Sequence, residues 1–230
     1  MRLAVLATAA ALLAGCSAPG PAPSTGGTMS VHDQQAALTE AIGRDDAAGV
    51  TAALEAGARL EERGAQGATP LVAATKARRT RAALALLEAG ADPNAQDELQ
   101  DSAFLYAGAE GLDEILRGTL EHGADVRSLN RYGGTALIPA SEHAHVSTIK
   151  ILLAAGVPVD HVNNLGWTAL LEAIVLGNGD ADHVEAVRLL LAAGADPTVA
   201  DGEGVTPLEH ASKAGQREIA ALLEQALAGR

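Results

Sequence analysis

The 230-residue chain is 48% hydrophobic yet holds one Trp, two Tyr and one Phe, so any core it builds is made of Ala, Leu, Val and Ile. Its 25 Gly and 9 Pro cut the apolar residues into short segments, which excludes one long coiled coil and a disordered chain alike. With 29 acidic against 16 basic side chains, the formal charge of -13 has the wrong sign for gripping nucleic-acid phosphates or an anionic lipid surface, so nucleic acid is not expected as a partner.

Residues 1–15 read as a signal peptide: Arg2 supplies a positive start, Leu3 to Leu13 is uncharged, and small residues precede Cys16. As a helix that run spans only about 17 Å, short of the roughly 30 Å hydrocarbon core, so it is not a permanent spanning segment. Cys16 is the only cysteine and can form neither an internal disulfide nor a Cys-rich zinc site. Leu13-Ala14-Gly15-Cys16 resembles the bacterial lipobox, which implies cleavage before Cys16 and a diacylglycerol on its sulfur. The alternative is an ordinary secretory peptide that leaves a free thiol, and either way the mature chain is exported. Residues 16–30 then carry the lipidated cysteine and a Pro-, Gly- and Ser-rich tether, and the folded part is expected over 31–230. Membrane contact is expected through the N-terminal lipid only. Ser17 does not resemble the Asp that commonly retains lipoproteins at an inner membrane, and the choice of membrane stays open.

From Val31 onward the chain repeats itself. Ala41, Ala74, Ala107, Ala140 and Ala173 follow at steps of 33, and Ala211 after a step of 38. Gly57, Gly90, Gly123, Gly156 and Gly194, and Thr69, Ser102, Thr135, Thr168 and Thr206, keep the same beat. Each Thr or Ser is placed to cap a first helix, with Pro70 and Pro207 at the first helical position. A second apolar run, such as Ile149 to Leu153, ends at a glycine suited to the left-handed conformation after a helix. About eleven residues rich in Asp, Asn and Gly follow before the next threonine, a turn or hairpin that projects as a finger.

These units resemble the ankyrin repeat: Thr69-Pro70-Leu71, Thr206-Pro207-Leu208, Leu86-Leu87-Glu88-Ala89-Gly90-Ala91-Asp92-Pro93 and Leu190-Leu191-Ala192-Ala193-Gly194-Ala195-Asp196-Pro197 carry the likeness. It implies an all-α solenoid of about six stacked helix pairs with projecting β-turn or hairpin fingers, and a concave face that binds proteins and carries no chemistry. The histidine common after Thr-Pro-Leu is replaced by Val72, Leu105, Ile138, Leu171 and Glu209, which leaves the stack more dependent on apolar contact. Gly49 and Gly118 fall in second helices and should each cost about 1 kcal/mol relative to Ala. Pro139 should distort the helix that follows Thr135. The five extra residues lie near Asn178-Gly179-Asp180-Ala181-Asp182, read as a solvated acidic loop because no bidentate Glu follows at calcium-loop spacing.

No enzymatic constellation emerges. His143 and His145 would point about 200° apart on one helix and suit one metal poorly; His145 falls where the family commonly keeps a structural histidine, and His143 has no such explanation. Ser141-Glu142-His143 has triad residue types but adjacent positions that cannot align. The chain is read as a non-enzyme with no cofactor and no metal.

What remains is surface. Leu99, Leu129, Tyr132, Val162, Leu165 and Trp167 place large apolar groups on three adjacent fingers, beyond what solvated tips require. His161 is either a recognition residue or a solvated turn residue, and Trp167 and Tyr132 either contact a partner or brace neighbouring fingers. The candidate partner-binding set is therefore Leu99, Leu129, Tyr132, His143, His161, Leu165 and Trp167. The reading is a monomeric, lipid-anchored module facing the extracytoplasmic side of the cell envelope and binding an unidentified protein. The alternatives are an inhibitor or immunity-type protein that blocks an enzyme or toxin, and a scaffold that assists maturation of an envelope enzyme.

Overall fold

The computed structural model describes residues 30–229. Cys16 and the expected signal peptide lie outside them, as does most of the expected tether. The described chain folds into twelve α-helices arranged as six pairs: α1 (Val31–Gly43) with α2 (Ala47–Glu55), α3 (Pro70–Lys76) with α4 (Thr80–Glu88), α5 (Ala103–Ala109) with α6 (Asp113–Glu121), α7 (Leu137–Glu142) with α8 (Val146–Ala154), α9 (Ala169–Val175) with α10 (Ala181–Ala192), and α11 (Pro207–Lys213) with α12 (Arg217–Ala228). Each first helix packs on the next first helix and each second helix on the next second helix, so the pairs stack into a solenoid. No strand occurs among the described residues, and none of their helices is long and apolar enough to cross a membrane.

The helix starts follow from side-chain capping. Thr69, Ser102, Thr168 and Thr206 each accept a hydrogen bond from the amide three residues on, satisfying a donor that the first turn leaves unpaired. Thr135 breaks the expectation, because its hydroxyl is buried without a hydrogen-bond partner. Pro139 has no amide proton to give the Thr135 carbonyl, which receives the Ile138 amide at 3.2 Å instead, and α7 starts only at Leu137. After the second helices the chain turns through Gly57, Gly90, Gly123, Gly156 and Gly194 with φ between 82° and 107°, a region that favours residues without a Cβ.

Packing rests on small residues at close approaches. Ala74, Ala107, Ala140, Ala173 and Ala211 are fully buried between successive helix pairs. Gly118 is not simply a weak point of its helix, since a Cβ there would meet Leu84 Cδ2 at 2.6 Å. Gly49 similarly faces Ala41, and its amide is capped by Asp46. Val72, Leu105, Ile138 and Leu171, at the place of the family histidine, are buried and supply apolar contact instead.

The insertion is structured rather than merely solvated. Asp180 caps α10 by accepting the His183 amide and lies 2.8 Å from His183 Nδ1, while His183 Nε2 lies 3.1 Å from the Glu142 carbonyl oxygen. Those contacts hold the Asp180 carboxyl down at about 2. The added residues thus lengthen α10 to 12 residues, against 9 in α4, α6 and α8.

Candidate functional site

Four of the five fingers among the described residues are tight turns built on one short acceptor side chain, while in the finger before α3 that place is held by Gly64, whose amide bonds the Ala68 carbonyl. Asp97 Oδ1 accepts the amides of Leu99 and Asp101; Asn130 does the same for Tyr132 and Gly134, Asn163 for Leu165 and Trp167, and Asp201 for Glu203 and Val205. The backbone closes the same turns, with Asn130 and Asn163 amides bonded to the Gly134 and Trp167 carbonyls. Fingers also bond to one another: the Asn164 amide to the Tyr132 carbonyl at 2.9 Å, and Gln96 Nε2 to the Leu129 carbonyl at 2.8 Å. An Asp/Asn series at 97, 130, 163 and 201, on the repeat period, is the sequence signal that these turns were coming.

The second oxygen or nitrogen of each turn residue is then available to the first helices. Asp97 Oδ2 receives the Lys76 ammonium at 2.6 Å, and that ammonium also lies 2.8 Å from Asp101 Oδ2 and 5.5 Å from the Tyr106 ring centre. Burial pushes the Asp97 carboxyl up, but Lys76 and the amides of Asp101 and Leu99 more than offset it, and it sits below the usual range. Asp201 Oδ2 lies 2.7 Å from His210 Nε2. Asn130 faces Pro139 in the corresponding register, which offers it nothing to bond.

Asn163 differs from both. Its Nδ2 donates to Glu172 Oε1 at 2.9 Å, and Asn163 is the only hydrogen-bond partner of the Glu172 carboxyl among the described residues. Glu172 is 4% exposed. Burial raises its carboxyl, the Asn163 bond takes back only part of the rise, the Glu142 charge adds to it, and the group is pushed up to about 7. Glu172 lines a cavity of about 340 Å³ with Asn163, Glu142, Tyr132, Ile138, Pro139, Leu165 and Leu176. Numbering each finger by the helix pair it precedes, the cavity is the groove where the fourth finger, turning at Asn130, and the fifth, turning at Asn163, meet α7 and α9. Tyr132, Leu165 and Leu176 are respectively 52%, 58% and 51% exposed along it.

Of the expected binding residues, the structure thus brings Tyr132 and Leu165 together at one groove. Leu99, Leu129 and Val162 are exposed elsewhere on the fingers. Trp167 is half-buried and does not line the groove. His161 is a brace between fingers, its Nε2 lying 2.6 Å from the Gly133 carbonyl oxygen, so it is neither a solvated turn residue nor a displayed one. His143 is exposed and lines a smaller neighbouring recess with Tyr106, Arg131 and Tyr132.

The histidine geometry also needs correction. His143 ends α7, Ala144 turns at φ 49° and His145 precedes α8, so the two residues do not share a helix and their rings approach to 5.6 Å. Burial, and to a lesser degree His143, depress the His145 pKa. Among the described residues no three His, Cys, Asp or Glu gather as a metal site. Ser141 is fully buried with its hydroxyl donated to the Leu137 carbonyl at 2.8 Å, which makes it a packing residue.

Two groove residues escaped the sequence reading. Glu172 stands in a series with Glu40, Ala73, Tyr106, Pro139 and His210, and of its two carboxylates Glu40 is exposed whereas Glu172 is buried. Leu176 stands in a series with Ala77, Glu110 and His143, where no other member is a large aliphatic residue.

Family models of ankyrin repeats match residues 66–98, 104–201 and 180–224. Among solved structures, an ankyrin repeat domain from Acinetobacter baumannii AYE is 55% identical, with 82% of this chain and 96% of that chain covered and a TM-score of 0.80. A second ankyrin repeat protein is 39% identical over 83% of this chain and 98% of that chain, with a TM-score of 0.79. The ankyrin repeat domain of Bcl-3, a member of the IkappaB family, is 26% identical with a TM-score of 0.73, covering 83% of this chain and 85% of that one. Among curated proteins, the ankyrin repeat protein YahD of Escherichia coli (strain K12) is 51% identical over 53 residues, which spans 23% of this chain and 26% of that protein.

Proposed function

The chain belongs to the ankyrin-repeat family, and from that premise we propose that the groove between its fourth and fifth fingers binds a partner protein in the cell envelope, to which Cys16 anchors the chain by lipid. Ankyrin repeats are protein–protein interaction modules, which makes binding the general expectation. The observation that carries the particular site is the run of exposed Tyr132, Leu165 and Leu176 along a cavity that is also lined by the buried Ile138, Asn163 and Glu172. Large apolar groups around a preformed recess are what an interface anchor needs, and isolated polar fingers have no use for them. The anchor rests on the sequence alone, through Leu13-Ala14-Gly15-Cys16. A single acyl chain holds a membrane only marginally, so stable anchoring requires further acylation.

A photo-crosslinking residue placed at Leu165 in whole cells tests the site, with a second at Arg188 on the opposite helical face as the control. A discrete adduct from position 165 alone is expected. Equal adducts from both positions, or none from 165, would refute the groove. The captured protein separates the roles: a toxin or secreted hydrolase indicates inhibition, and a resident envelope enzyme indicates assistance in maturation. For the anchor, mass spectrometry of the mature N-terminus should show an acylated Cys16, and an unmodified N-terminus at another residue would rule it out.

A further inference from the structure

This groove stands in register with a contact that the molecule completes two repeats earlier, but its charges are arranged differently. There, Lys76 at the end of α3 reaches the next finger and seats its ammonium between Asp97 and Asp101 beside the Tyr106 ring. Two steps of 33 residues carry Lys76 to Glu142, Asp97 to Asn163, Asp101 to Trp167 and Tyr106 to Glu172. The cation has become a carboxylate, both aspartates have become neutral residues, and a carboxyl stands where the tyrosine was. Glu172 has one oxygen on Asn163 and no partner for the other among the described residues, although it is 4% exposed. Such a group in a wall of Tyr132, Ile138, Pro139, Leu165 and Leu176 lacks the counter-charge that Lys76 brings to the earlier contact.

We infer that the groove receives a lysine or arginine side chain of the partner protein, its alkyl stem against Tyr132, Leu165 and Leu176 and its cationic head between Glu172 and Glu142. Three features fit this occupant together. The apolar wall suits the methylene stem that such side chains bury while keeping their head polar. The two carboxyls, both lining the groove, supply charge-assisted acceptors. The net charge of -13 favours approach of a basic segment. The elevated carboxyl of Glu172 is consistent with a site that has no resident counter-ion. The inference rests on the reading of this groove as the partner site, and the test keeps the two apart.

The probe is a displayed library of random seven-residue peptides selected on the full chain, with binding of the selected peptides then measured on variants. Selected sequences should share one Lys or Arg flanked by apolar residues. Replacing that residue with norleucine, which keeps the stem and removes the charge, should weaken binding at least about tenfold. Glu172→Gln should collapse the gap between the two peptides, Glu142→Gln should narrow it, and Leu165→Ala should weaken both peptides alike. The Glu142→Gln result stands even if Glu172→Gln folds poorly. Peptides that lack a basic residue, or that tolerate norleucine while still losing affinity on Leu165→Ala, would overturn the cation site and leave the groove standing. Failure to obtain any peptide sensitive to Leu165→Ala or Tyr132→Ala would overturn the groove and the cation site together.

Discussion

The third and fifth fingers of this solenoid share a backbone turn, a turn-closing side chain and a place in the stack, yet one is internally completed and the other is not. At the third finger the chain brings its own ammonium to Asp97, whose side chain is 1% exposed. At the fifth, Asn163 holds one oxygen of Glu172, and the rest of that carboxyl looks into a cavity of about 340 Å³. The repeat backbone therefore does not dictate what the concave side does; single positions decide whether a finger is braced or left to recognise something else. The sixth finger, with Asp201 against His210, falls with the braced kind.

The largest expected effect comes from un-bracing the third finger. Lys76→Met leaves Asp97 buried without its counter-ion, and urea unfolding at pH 7 should show a loss of about 3 kcal/mol. Because the Asp97 carboxyl is held below its ordinary value, that stabilisation is present above the unfolded pKa and fades as pH falls through the folded one. The variant and the parent should therefore converge in acid. A loss independent of pH would mean that Lys76 acts through its methylenes.

The fifth finger should respond with the opposite sign. Glu172 titrates at about 7 in the fold against an ordinary 4.5, so the folded state keeps a proton that the unfolded chain releases between those values. Stability should fall as pH rises through that window, by about 2–3 kcal/mol once above 7. Glu172→Gln should remove the slope and leave the protein more stable than the parent at pH 8, as read from urea midpoints at pH 5, 6, 7 and 8. Parallel profiles would mean that the groove carboxyl is already satisfied.

Smaller effects sharpen the distinction between the groove's floor and its rim. Ala173→Leu adds volume at a fully buried site under the groove and should cost about 1.5 kcal/mol. Tyr132→Ala and Leu165→Ala remove exposed groups and should change stability by no more than about 0.5 kcal/mol. Thermal melts of the three variants together separate packing from display, and a drop for Leu165→Ala as large as that for Ala173→Leu would make Leu165 a structural residue.

The stack itself was legible because its determinants are local and periodic. Thr69, Ser102, Thr168 and Thr206 cap helices through amides three residues away, and the alanine series needs only the register to place it in the interface. Reading failed where a neighbouring residue changed the local rule: Pro139 displaces the start of α7 and orphans the Thr135 hydroxyl. It failed again where the segment was assigned the wrong conformation, as with His143 and His145, whose rings meet across a turn instead of diverging along a helix. Within the site, exposure of Tyr132 and Leu165 followed from apolar residues on fingers, whereas the surroundings of His161 are set by the adjoining finger. Glu172 was overlooked because its environment depends on α7 and the finger together, and its register alone does not mark it, since Glu40 stands in the same place of the first unit and is exposed.

The central claim is that the fifth-finger groove holds a buried carboxyl without a counter-ion, and carboxyl-carbon NMR of Glu172 tests it most directly. Titration of the full chain should give a midpoint near 7 that moves down when a lysine-containing groove peptide is added. A midpoint within the ordinary glutamate range, unmoved by the peptide, would contradict the account.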